Sequence, residues 1–134
     1  MNKAALLIGI NYINTSHELY GCINDINNVK KILIRQYNFN EENIKIITDD
    51  SNDPPTREHI INGINWLVDK NKNGCNRLWF HYSGHGSYIL DKNSDETDGH
   101  DETICTLDDK EITDDELDQI LIQKIANNTK LFCF

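Results

Sequence analysis

His85 lies between two glycines in the run "FHYSGHGS" (80–87), and no other residue of the chain is better suited to acid–base chemistry. An imidazole titrates near neutrality, so it can take up and return a proton at physiological pH. Gly84 and Gly86 give it little side-chain cover and let the main chain approach a substrate closely. The Gly86 amide is then placed to donate to a developing oxyanion. The competing reading is a loop histidine in a glycine turn, with no chemistry. His81, four residues earlier, would pair with His85 on a metal only if both lay on a helix, which the two glycines oppose.

The elements that must carry His85 read as alternating strands and helices. "AALLIGI" (4–10) is an unbroken apolar run, as expected of a strand buried on both faces. Asn24–Gln36 follows, with Ile26, Val29, Ile32 and Leu33 at helical spacing. "NIKIIT" (43–48) reads as a second strand and Asp49–Pro55 as a turn. Thr56 should cap a helix running to about Lys70, with Ile60, Ile61, Ile64 and Leu67 as its apolar stripe. "NRLWFHY" (76–82) is strand three, residues 91–102 form a polar acidic loop, and "TICTL" is a short strand. Thr113–Ile125 should be a helix capped by Thr113 or Asp114, and "KLFCF" (130–134) a fourth strand. This alternation predicts an α/β domain built on a mostly parallel sheet flanked by helices. Ligands in such sheets bind beyond the carboxyl ends of the strands, where His85 falls.

The bulk numbers narrow the function. With 134 residues and 38% hydrophobic content, the chain fits a single domain, 1–134. A net charge of −9 argues against nucleic acid or an anionic membrane as partner. The same charge suits a solvated acidic face, a divalent cation or a basic substrate. Cys22, Cys75, Cys105 and Cys133 include no C-x-x-C pair, so a structural zinc site is not expected. The apolar run at residues 4–10 is too short for a membrane span and lacks a cleavage region. The expectation is a reduced, cytoplasmic protein.

Six ordered blocks carry a more specific signal: "ALLIGINY", "LYGCINDI", "PTREHIINGINWLV", "FHYSGHGS", "DETDGHDETIC" and "ITDDEL". Together they resemble the metacaspases, caspase-like cysteine peptidases, over essentially the whole chain. The portion resembled is the N-terminal, large-subunit-like part of the catalytic unit. The resemblance implies a caspase-hemoglobinase three-layer sandwich and a His-Cys dyad that cleaves polypeptides after Arg or Lys. His85 then matches the catalytic base, while Ser83 and Asp25 match residues of the pocket for the basic side chain. A carboxylate suits that pocket because it pairs with guanidinium and rejects acidic side chains. Asp25 alternatively reads as an N-cap of the first helix.

By the same resemblance, Asp101, Asp114 and Asp115 match aspartates that bind calcium, as hard oxygen ligands from two separate segments. A helix N-terminus enriched in acids accounts for the "TDDE" cluster equally simply. An EF-hand over residues 91–102 fails, because Glu96 stands where that loop demands glycine. Cys22 matches a family cysteine proposed as a secondary nucleophile, or else is a small buried residue at a strand–helix junction. Cys105 precedes Thr106, where the family block has proline, so the local turn should differ. Cys75 reads as a loop or surface thiol.

The expected nucleophile is absent from the chain. In caspases the histidine precedes the cysteine by about 50 residues, which from His85 points just past Phe134. Cys133 lies close to that position but inside the apolar run "LFCF", and is expected to be a buried core thiol. The expectation is a domain incomplete at its C-terminus, continued by a D-x-C-H-S-G block in the remainder of the catalytic unit. The alternative is a non-catalytic caspase-like module that binds or regulates.

Overall fold

The computed structural model describes residues 2–90, 100–126 and 128–133, with the main chain alone for 87–90 and 100–102. In chain order the elements are β1 (Lys3–Gly9), α1 (Cys22–Tyr37), β2 (Ile44–Thr48), α2 (Arg57–Lys72), β3 (Arg77–Ser83), β4 (Gly86–Leu90), β5 (His100–Cys105), β6 (Glu111–Thr113), α3 (Asp114–Ile120) and β7 (Lys130–Cys133). Short 3-10 turns fall at Glu41–Asn43 and Ile122–Lys124.

Strands β2, β1, β3 and β7 form a parallel sheet in that order. The unbroken apolar run in β1 is explained by its place: it has a strand on each side, and Ala4–Ile8 are fully buried. Alternate residues serve opposite faces. Ala5 and Leu7 meet Ile26 and Leu33 of α1, while Ala4, Leu6 and Ile8 pack with Ile60, Ile64 and Leu67 of α2. Leu117 and Ile120 of α3 join the second cluster. The result is a three-layer sandwich, with α1 on one side of the sheet and α2 and α3 on the other.

Thr56 caps α2 as expected, its side chain accepting from the His59 N–H at 3.2 Å. The helix expected over Thr113–Ile125 is shorter. Thr113 and Glu116 form a reciprocal capping box at its start. It ends at Leu121, fully buried, whose N–H still donates to the Leu117 carbonyl at 2.9 Å. Beyond it the Asn71 side chain accepts from the Ala126 N–H at 2.9 Å and donates to Cys75 and Thr129 at 2.8 Å each.

A second sheet, antiparallel β4-β5-β6, was not foreseen beyond the "TICTL" strand, which instead begins at His100. The Thr106 turn is closed by bonds a proline could not make. Its N–H donates to the Lys110 carbonyl at 2.9 Å, and its hydroxyl accepts from the Lys110 N–H at 2.9 Å. The acidic loop expectation for 91–99, with Asp91, Asn93, Asp95 and Glu96, lies outside the described residues. No helix among the described residues is long and apolar enough to cross a membrane.

Candidate active site

The carboxyl ends of β1 and β3 meet at the pair Gly9 and Ser83. Gly9 lets α1 come down onto the sheet, since a Cβ there would lie 2.5 Å from Ile26 Cγ1 and 2.8 Å from the Cys22 carbonyl oxygen. That close approach carries Asp25, in the first turn of α1, to the end of β3, where the Ser83 hydroxyl donates to Asp25 Oδ2 at 3.2 Å. Asp25 is not the N-cap. That work is done from a distance by Asn11, whose Oδ1 accepts from the Cys22 and Ile23 amides at 2.9 and 3.2 Å. The Asp25 carboxylate is thus left exposed, with Ser83 as its neighbour.

Asp49 anchors the connection between β1 and α1, accepting from the Asn11 and Ile13 amides at 2.8 and 3.1 Å. The same connection brings the His17 carbonyl to 2.7 Å from His85 Nε2. A carbonyl can only accept, so Nε2 carries the proton and Nδ1 of the neutral ring holds the lone pair. His85 stacks obliquely on Tyr12, ring centroids 4.7 Å apart. It lines a cleft of about 500 Å³ together with Tyr12, His17, Gly86, Cys105 and Lys110. Asp25, and Ser83 at the end of β3, lie outside that lining.

Gly86 begins β4 opposite Ile104. The bond from the Cys105 N–H to the His85 carbonyl, at 3.3 Å, flanks this pair, which makes it a non-hydrogen-bonded pair of the ladder. The Gly86 amide therefore faces away from β5, on an exposed residue beside His85.

Two residues that the sequence reading left without a role, Tyr12 and Tyr82, enclose His85. Their phenol oxygens are 2.9 Å apart, and burial raises both phenols above their ordinary value, Tyr82 by the larger amount, so both stay protonated. A tyrosine after a strand carries no signal in sequence that its hydroxyl will serve a histidine 73 residues away.

A family model for the metacaspase, peptidase C14 domain matches residues 3–134. The chain belongs to the metacaspases. It is 45% identical over 136 residues to Metacaspase-1 of Eremothecium gossypii, covering 97% of this chain and 30% of that protein. To Metacaspase-1 of Schizosaccharomyces pombe it is 42% identical over 136 residues, covering 96% of this chain and 32% of the relative. The metacaspase chain thus spans under a third of the length of these curated relatives. A crystal structure of a Geobacter sulfurreducens protein superimposes with a TM-score of 0.75 at 26% identity, over 100% of this chain and 49% of that one. The fold is caspase-like: a mostly parallel sheet between helical layers.

The cysteines of this metacaspase fall in distinct places. Cys22, buried, is the first residue of α1, at the strand–helix junction. Cys75 is buried in the α2-side core rather than on the surface, because the chain leaving α2 turns inward where Asn71 holds its carbonyl. Cys133 is exposed rather than buried, since β7 is the edge of the sheet and no described element covers it. Cys105 is half-buried in the wall of the cleft.

Asp114 and Asp115 occupy the first turn of α3. Asp101 is described in its main chain only, within β5. The β5–β6 ladder ends at the pair Thr103 and Thr113, immediately before α3 begins. Among the described residues, no three His, Cys, Asp or Glu side chains converge on a metal position.

Proposed function

We propose that this chain supplies the general base and part of the specificity pocket of a cysteine endopeptidase that cleaves polypeptides after Arg or Lys. The observation that carries it is the combination of His85, its Nε2–H held by the His17 carbonyl, with an exposed Asp25 carboxylate bound by Ser83, two residues earlier at the end of β3. A lone pair on Nδ1 and a nearby anion for a guanidinium or ammonium are the two features such a reaction needs.

In this reading the nucleophile is a cysteine outside these 134 residues, in the remainder of the catalytic unit. His85 Nδ1 takes the thiol proton, and the thiolate attacks the carbonyl carbon of the scissile bond. The Gly86 N–H donates to the oxyanion. As the C–N bond breaks, His85 returns the proton to the leaving amine, and a water then hydrolyses the thioester by the same route. Cys22, buried as the first residue of α1, is a secondary nucleophile only if that helix start opens. Calcium would be held by Asp101, Asp114 and Asp115 and would supply charge tying β5 to α3, with no step of the reaction routed through it. The reaction belongs in the cytoplasm.

The test uses the full chain with Arg-, Lys- and Asp-terminated reporter peptides. Turnover after Arg and Lys only, lost in His85→Ala and reduced about a hundredfold in kcat/KM by Asp25→Asn, is the expected result. The 134 residues alone should turn over none of the peptides. Equal rates on the Asp peptide would remove the specificity assignment, and no turnover by the full chain would leave a binding module instead.

A further inference from the structure

The glycine before His85 has a reason other than backbone freedom. Gly74 is the one glycine with positive φ among the described residues, so Gly84 does not use a conformation closed to other residues. What it provides is space. A Cβ on Gly84 would stand 2.6 Å from Tyr82 Oη, 2.8 Å from Tyr82 Cζ and 3.1 Å from Tyr12 Oη. Two phenol groups occupy the room where a side chain would be.

Those phenols grip the His85 peptide unit at both ends. The His85 N–H donates to Tyr12 Oη at 2.9 Å, and Tyr82 Oη donates to the His85 carbonyl at 2.6 Å. Tyr12 Oη in turn donates to the Cys105 carbonyl at 2.7 Å, anchoring the arrangement to β5. Tyr12 is almost fully buried, so its hydroxyl cannot readily exchange this role for water. The His17 carbonyl fixes the ring from outside, but the ring can point correctly only if its own Cα is held.

We propose that Tyr12 and Tyr82 are positioning residues for His85: a paired-phenol clamp on its main chain that sets where the imidazole stands, with Gly84 conserving the space for it. The catalytic consequence rests on the peptidase reading above. The clamp itself does not.

The experiment compares the full chain with Tyr12→Phe and Tyr82→Phe, each losing one hydroxyl and little volume. Amide hydrogen exchange at His85 should rise at least about tenfold in Tyr12→Phe, with the amides of β1 unchanged. In both variants kcat on the Arg peptide should fall about 10- to 100-fold while KM stays within about twofold, the mark of a misplaced base rather than a lost pocket. Gly84→Ala reaches the same clamp by crowding, and should lower kcat in the same way if a Phe variant fails to fold. Unchanged exchange at the His85 amide in Tyr12→Phe overturns the clamp. Raised exchange with unaltered kcat overturns the positioning role. A wild-type chain without turnover removes the peptidase reading instead, and exchange alone then decides the clamp.

Discussion

His81 is half-buried on β3, and that burial holds its imidazole below the ordinary value of 6.5, against an opposing pull from Asp25. The folded chain therefore resists a proton that the unfolded chain accepts. Stability is full above pH 6.5 and declines as the pH falls through that value, levelling once both states are protonated. Urea midpoints should drop between about pH 7.5 and about pH 5.5, before most carboxylates titrate, and should drop less in His81→Gln. Equal drops would assign the effect to other groups. Legibility at this scale followed distance in sequence. Thr56 was readable as a cap because the amide it serves is three residues on. Asn11 was not, because the helix it caps begins eleven residues later. The contact of Ser83 with Asp25 was not legible, since nothing in composition brings together residues 58 apart, and resemblance assigned each to the pocket without pairing them.

Among the elements, the contact between α1 and β1 governs the site most directly, and two glycines show how differently such contacts tolerate change. A methyl on Gly9 would meet the Cys22 carbonyl oxygen at 2.8 Å, and that backbone cannot give without moving α1. A methyl on Gly63 would meet Ile47 Cδ1 at 2.9 Å and Leu6 Cδ1 at 3.0 Å, the mobile ends of flexible side chains. Gly9→Ala should therefore cost about 1–3 kcal/mol and raise KM for Arg peptides by moving Asp25 from Ser83. Gly63→Ala should cost less, because alanine regains about 1 kcal/mol of helix propensity in α2. Thermal melts of the two variants check the order, and a larger loss from Gly63→Ala would reverse it. The buried parallel strands were legible because burial on both faces leaves an unbroken apolar run. The strands β4 and β6 were not, since each is an edge of the antiparallel sheet and β6 spans only Glu111–Thr113.

Across the whole molecule, 22 acidic residues against 13 basic ones leave a field that favours cations. If Asp101, Asp114 and Asp115 bind calcium, affinity should be weak, about 10⁻⁴ to 10⁻³ M, because few protein oxygens serve one ion. Calorimetry on the chain and on Asp114→Ala and Asp115→Ala should show the heat reduced in both variants. Identical heats in all three would leave these acids as companions of the α3 N-terminus alone. The three-layer fold also sets the order in which the parts can mature. Tyr12 and Tyr82 are 70 residues apart, and their hydroxyls meet only after β1 and β3 have aligned in register. Contacts of such separation form late, once the entropy of closing the intervening chain has been offset by packing. A nascent or refolding chain thus has its sheet before it has a positioned histidine, and recovery of a working base should lag behind recovery of the core.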